Sequence, residues 1–291
     1  MKKLFFVFLM IGSLLLAVDL YIPDRGETVT IDNGGMLVNG RWQDPNETST
    51  TQNFMIGTRL RIGERAYRYG KFKTAVGDLS YAMVNGNIIP DDGAEVALGG
   101  TPAIGDKTIA VLDTGTTTRL VNHYQGGYVY LYRASTQSAT DHDQLRRIIA
   151  STAGDGTSIT LTLDYPLTAT PSMTADCYPS PYSKICTPGS TYGSSGAEMF
   201  VGFAHAFHAA GGFGWVQTWG PVNGHYTGGG TEWPGNNGPN DRQIVFSIEG
   251  GLRTTKSSGT VVPLASQIAG YVIPCTKSDY GSVFCYLTVA E

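Results

Sequence analysis

Hydrophobic and polar residues alternate along most of this chain with the two-residue period of a β-strand. Ile159, Leu161, Leu163 and Tyr165 alternate with Ser158, Thr160, Thr162 and Asp164, and Tyr128, Tyr130 and Tyr132 alternate with Val129, Leu131 and Arg133. Residues 107–112 read as a strand, and the pattern returns at Ile244, Phe246 and Ile248 and at Val283, Cys285, Leu287 and Val289. Asn33-Gly34-Gly35 is a hairpin signal between residues 29–31 and 36–38, and Asn85-Gly86 between residues 81–84 and 88–89. Two stretches fit helix and strand alike: Leu145, Ile148 and Ile149, and Met199, Phe200, Phe203 and Phe207. Flanking glycines and β-rich surroundings favour strands for both. Elsewhere no long amphipathic helix stands out. The pattern predicts an all-β protein of β-barrel or β-sandwich modules, with long Gly-rich loops and little helix.

One predicted strand is far richer in aromatics than the rest. In Gly211-Gly212-Phe213-Gly214-Trp215-Val216-Gln217-Thr218-Trp219-Gly220-Pro221, strict alternation places Phe213, Trp215, Gln217 and Trp219 on one face. Gly214, Val216, Thr218 and Gly220 line the other, and Pro221, which has no N–H, marks the expected end. Such a face needs a cover, either a second sheet or another chain. The stretch contains no acid, base or nucleophile, so it reads as architecture rather than chemistry.

Composition narrows the class. Only 15% of the 291 residues are charged, against about 25% in ordinary domains, which suits a chain packed against neighbours. Gly (38) and Pro (14) are abundant, yet hydrophobic residues reach 41%, so a folded protein full of turns fits better than disorder. The net charge is -4 with no basic block, which argues against a nucleic-acid partner. Met1-Lys2-Lys3 and an apolar run from Leu4 to Val18 resemble a secretory signal peptide, although Leu15 makes a poor cleavage site. A retained arm, a membrane anchor through residues 1–18 or an over-extended reading frame are the alternatives; the run is short for a span, which needs ~20 residues. Composition shifts near residues 176–195 and 223–241 suggest a hydrophobic segment over 1–22, an extended or hairpin arm over 23–54, and β domains over 55–190 and 191–291. Cys177 and Cys186, and Cys275 and Cys285, are spaced as two local disulfides, with buried thiols as the alternative.

Candidate chemistry is sparse. Asp113-Thr114-Gly115-Thr116 matches the D-T-G-[ST] signature of aspartic proteases, in which two carboxylates share a proton. No second copy occurs: Asp92-Gly93 lacks the Thr and the preceding apolar strand, so a turn is the simpler reading and a dimeric protease a distant one. His205 and His208 would share a face on a helix but oppose each other on a strand, and Glu198 is the only acid nearby. Asp141-His142-Asp143 reads as a solvated loop, His123 and His225 lie in no motif, and Asn46-Glu47-Thr48 matches a glycosylation sequon. No phosphate loop, G-x-S-x-G or catalytic triad stands out, so no catalytic residue, metal site or cofactor is expected.

Several segments, in order, resemble structural proteins of tailed bacteriophages and environmental viruses. They are Ile56-Gly57-Thr58-Arg59, Arg65-Ala66-Tyr67-Arg68-Tyr69-Gly70-Lys71, residues 75–83, Gln125-Gly126-Gly127-Tyr128-Val129, Leu161-Thr162-Leu163-Asp164-Tyr165-Pro166-Leu167, Tyr182-Ser183-Lys184 and Trp215-Val216-Gln217-Thr218-Trp219-Gly220-Pro221. The Trp-bearing motif is the most specific, and the likeness covers about residues 55–290. It implies a non-enzymatic virion protein, a capsid decoration or cement subunit on the virion surface. Its implied partners are copies of itself, as a trimer, and the major capsid protein. Phe213, Trp215, Trp219, Trp233, Trp42 and the Tyr128, Tyr130 and Tyr132 face are the expected interface or core anchors. The alternative is a secreted or surface-attached β protein that forms filaments or binds glycans.

Overall fold

The structure, a computed structural model, describes residues 18–22, 27–32, 43–76, 82–85, 96–113, 119–133, 142–188, 199–225, 242–246, 251–254, 256–257, 260–261, 267–273 and 282–290. The protein is all-β, with no helix among these residues. Strands β1 (Val18–Ile22), β2 (Glu27–Asp32), β3 (Arg59–Ile62), β4 (Arg65–Lys71) and β5 (Ala82–Asn85) open a large sheet. The chain then leaves it for β6 (Val96–Ala97), β7 (Thr108–Leu112), β8 (Tyr128–Arg133), β9 (Gln144–Ser151), β10 (Ser158–Leu163) and β11 (Pro171–Tyr178). It returns with β12 (Ile185–Cys186), β13 (Phe200–Ala204), β14 (Phe213–His225), β15 (Gln243–Phe246) and β16 (Leu252–Thr254). A small hairpin of β17 (Lys256–Ser257) and β18 (Thr260–Val261) precedes β19 (Ile268–Val272) and β20 (Ser282–Thr288).

The six central strands form a barrel. They pair antiparallel in the order β6-β11-β8-β9-β10-β7. The two ends meet through a bridge between Leu98 and Val111 and a hydrogen bond from the Gly99 N–H to the Ala110 carbonyl (2.9 Å). Closure leaves almost no free edge, and the inward half of the alternation fills the interior. Val129, Leu131, Ile148, Ile159, Leu161 and Leu163 are all buried there. The ambiguous stretch at Leu145 is therefore strand β9, and that at Phe200 is strand β13. The barrel abuts the segment leading into β3 at Gly126, where a Cβ would overlap the Ile56 carbonyl oxygen, and Gly127 packs as closely on the Tyr178 carbonyl of β11 within the barrel. Gly126 also holds φ +76, open to glycine at little cost.

Sheet membership does not follow the division at residue 190. Residues 66–71 pair with residues 213–219 within one sheet, while residues 96–178 form the inserted barrel. Nor do residues 43–54, which fall within the segment read as an arm, extend outward. Gln43, Asn53 and Phe54 are buried against β4 and β14. The hairpin partners expected at residues 36–38 and 88–89 lie outside the described residues.

Strand β14 runs through the centre of the large sheet and past Pro221, where the sequence predicted an end. It pairs with β4 from Phe213 to Trp219 and with β20 from Trp219 to His225. At Pro221 the β4 ladder has already ended, so no donor is needed on that side. Between Gln217 and Trp219 the register slips. Gln217 faces Tyr67 and Trp219 faces Ala66, so β14 advances two residues while β4 advances one. Such a bulge reverses the alternation. Tyr67 and Ala66 are consecutive and point to opposite faces, so Gln217 and Trp219 do too. The single aromatic face expected from the sequence is thus split in two.

Candidate functional site

Trp215 lies on the inner face and is fully buried with Phe54, Tyr67 and Tyr69. Its ring meets those of Phe54 and Tyr69 at 5.0 Å each, tilted and edge-on, the geometry aromatic quadrupoles prefer. The indole N–H donates to the Gln43 carbonyl (2.9 Å), so the polar edge is satisfied. Gln43 organises the pocket further. Its Nε2 donates to the Phe213 carbonyl (3.0 Å), and its Oε1 accepts from Tyr69 Oη and Asn53 Nδ2 (2.9 Å each). Burial pushes the Tyr69 phenol up to about 12, leaving it a neutral donor. Phe213 is half-buried and stacks over Tyr69. This group is a closed, satisfied core.

Trp219 stands on the opposite, outward face and is half-buried. Its indole N–H donates to Tyr286 Oη (3.1 Å), and the two rings meet edge-on at 5.8 Å. Tyr286 in turn stacks on Tyr271 across β19 and β20. Tyr271 is 47% exposed and Phe284, two residues along β20, 42%. Four aromatic side chains from three adjacent strands therefore share an outward surface. Val222, Cys285 and Leu287 fill the core behind it.

The three tyrosines of β8 share the outer face of the barrel, as the alternation predicts. Tyr130 Oη donates to Asp143 Oδ2 and Tyr132 Oη to Asp176 Oδ2, both at 2.7 Å. The Tyr130 phenol is raised chiefly by its bond to Asp143. The Asp143 carboxyl is lowered, first by the Arg133 N–H and then by Tyr130. His142 stands apart from this pair, with Nε2 2.9 Å from Thr168 Oγ1. The first bond ties the residue before β9 to the barrel wall, and the second joins two barrel strands.

The remaining sequence candidates are structural. His205 bonds through Nε2 to Gln217 Oε1 (2.6 Å), and burial lowers its basicity. His208 lies flat on Phe72, with ring centroids 3.8 Å apart, in space left by Gly214. Both its ring nitrogens are buried without a hydrogen-bond partner, and burial pulls it down to about 4. Asp113 is buried and ion-paired with Arg119, and Oδ2 accepts from the Gly156 N–H (3.3 Å). The partner that Asp113 meets is thus a guanidinium, not a second carboxylate. Among the described residues no cluster of three or more His, Cys, Asp or Glu could hold a metal.

The two local disulfides are not formed. Cys177 is a free thiol inside the barrel core and Cys285 one behind the outward aromatic surface. Cys186 is buried in β12, its Sγ donating to the Lys184 carbonyl (3.6 Å). Spacing suggested hairpin neighbours, but Cys177 ends a barrel strand while Cys186 pairs with β5 of the other sheet. Trp42, Trp233, Cys275, Asp141, Glu198 and the apolar residues 1–17 lie outside the described residues.

No protein-family model, curated protein or solved structure matches this chain. Sequence reasoning missed Gln43, Gln217 and Arg119 as partners of the residues it singled out. Each meets its partner through strand pairing or chain return, for which a single sequence carries no local signal.

Proposed function

We propose that this chain is a non-enzymatic virion structural protein, a decoration subunit that stabilises a viral shell by self-association and by contact with the shell protein. The observation that carries this reading is the outward surface of Trp219, Tyr286, Tyr271 and Phe284. Tyr and Trp are enriched at protein interfaces, where a flat aromatic body gains contact area and a polar tip keeps a partner. The resemblance of the ordered segments over residues 55–290 to virion proteins is what suggests the assignment. The way the candidate catalytic groups are held fits it: Asp113 is ion-paired, His208 is buried and His205 is hydrogen-bonded to Gln217. Shell contacts would act by multivalency, each weak patch reinforced by the others.

Light scattering after size exclusion, with electron microscopy of the assembly, tests the proposal. The expected result is a closed oligomer, trimeric on this reading, that binds shells. Trp219→Ala should leave a folded subunit that no longer assembles. A monodisperse monomer with no affinity for shells overturns it. Ordered filaments or glycan binding by that monomer would instead favour a surface-attached role.

A further inference from the structure

The outer wall of the barrel carries a second aromatic surface, on other strands than that of Trp219. Val129, Leu131, Ala175 and Cys177 point into the barrel core, so the residues alternating with them face outward. These are Tyr128, Tyr130 and Tyr132 on β8 and Asp176 and Tyr178 on β11. Pairing sets them in rows: Tyr178 lies opposite Tyr128, and Asp176 opposite Tyr130, which has Leu145 of β9 on its other side. Partners in such rows stand about 5 Å apart, and neighbours on one face of a strand about 7 Å. Tyr128 is 41% exposed and Leu145 57%, so the surface is open to solvent.

Its polar groups are fixed in place yet not used up. Asp176 Oδ2 accepts from both Tyr132 Oη (2.7 Å) and Tyr178 Oη (3.3 Å), which leaves Oδ1 without a hydrogen bond among the described residues. Tyr128 Oη makes none among them either. Asp143, held by Tyr130 Oη and the Arg133 N–H, borders the patch at an exposed position. The Tyr130 and Tyr132 rings meet edge-on at 4.9 Å. Aromatic groups already held this way lose little freedom when a ligand arrives.

We propose that this wall binds a neutral sugar chain of the glucose type, with Tyr128, Tyr130 and Tyr178 as the stacking surface and Asp176 as the principal acceptor. Equatorial hydroxyls leave both faces of such a ring lined with C–H groups. Their partial positive charge matches the negative face of an aromatic ring. The hydroxyls project from the ring edge, where each can donate and accept. One donates to Asp176 Oδ1, a charge-assisted bond, and another meets Tyr128 Oη. A protein partner suits the wall less well. Interface cores are depleted in Asp, and an apolar cover would bury Asp176 Oδ1 without a donor, which is costly. A sugar supplies the apolar face and the donors together. The inference does not rest on the decoration reading, whose surface is built on β14, β19 and β20.

Calorimetric titration of the full chain with cellopentaose, laminaripentaose and chitopentaose tests the proposal. At least one should bind with a dissociation constant below about 1 mM. Saturation-transfer NMR should place its ring C–H protons closest to the protein. Tyr128→Ala should weaken binding by about tenfold or more without altering the far-UV spectrum. Asp176→Asn should weaken it less, since the amide oxygen still accepts but carries no charge. Trp219→Ala should bind the sugar as the parent does, so sugar binding and shell assembly fail separately. No binding of any of the three sugars, or undiminished binding by Tyr128→Ala, overturns the proposal. So does a parent chain that ignores the sugars but loses shell binding on Tyr128→Ala, which makes the wall a protein interface.

Discussion

Trp215 and Trp219, four residues apart on one continuous strand, stand on opposite faces of its sheet because of the bulge between Gln217 and Trp219. The two indoles therefore do different work. Trp215 fills the inner core and donates to Gln43, while Trp219 braces Tyr286 on an outward surface. Trp215→Ala should cost about 3–5 kcal/mol, the range for removing a large buried aromatic. Trp219→Ala should cost on the order of 1 kcal/mol, as for a half-exposed site with one neutral hydrogen bond. Urea unfolding of both variants measures the difference, and similar losses would contradict the split faces.

His208 makes stability depend on pH. In the fold it titrates at about 4, against about 6.5 in an unfolded chain. Between these values the unfolded state takes up a proton that the native state does not, so stability rises with pH across the window. The contribution is fully present above about pH 6.5 and is lost as pH falls toward 4, up to about 3 kcal/mol. His205, also lowered by burial, adds the same sign. Denaturation at pH 7.5 and 4.5 should show the loss, and His208→Phe should flatten the slope without abolishing it. That variant also removes two buried nitrogens that have no partner, so little destabilisation is expected at neutral pH.

Buried thiols should be inert. Burial pushes Cys177 and Cys285 each up to about 12, so almost no thiolate, the reactive form, exists at pH 8. A thiol reagent should leave both unmodified in the native protein and label them at once in denaturant. Mass mapping of the labelled peptides reads each cysteine separately. Rapid native labelling of Cys177 would mean that the barrel opens easily.

Much of the fold was legible because burial imposes the alternation directly. Val129, Leu131, Ile159, Leu161 and Leu163 point inward for the reason their spacing predicts. The aromatic strand was visible too, but its bulge was not. That bulge depends on how β14 meets β4, a strand about 150 residues earlier in the chain. Pro221 misled for a related reason, since a proline ends a strand only where a neighbour needs its donor. Arg68 and Arg147 show the same limit. Arg68 stands in a recognisable motif and Arg147 in an ambiguous one, and only packing brings the two to Gly57.

Asp113 and Arg119 should behave as one unit. Both side chains are nearly inaccessible and form a buried ion pair, with the Asp113 carboxylate also held by the Gly156 N–H. Removing either charge strands the other in a medium that solvates it poorly. Asp113→Leu or Arg119→Met alone should therefore cost about 3–5 kcal/mol. The double variant Asp113→Leu/Arg119→Met leaves neither charge exposed to that penalty, and apolar replacements of such pairs are often close to neutral. Its loss should fall well below the sum of the two single losses. Urea unfolding of the four proteins in a double-mutant cycle gives the coupling directly. Additive losses would show that the pair is not the reason these charges are buried. A protease would respond differently: there Asp113 would govern peptide cleavage rather than stability. The expected pattern, a stability defect rescued by the second substitution with no peptidase activity in any of the four, separates the structural role of the Asp-Thr-Gly turn from the catalytic one its sequence suggests.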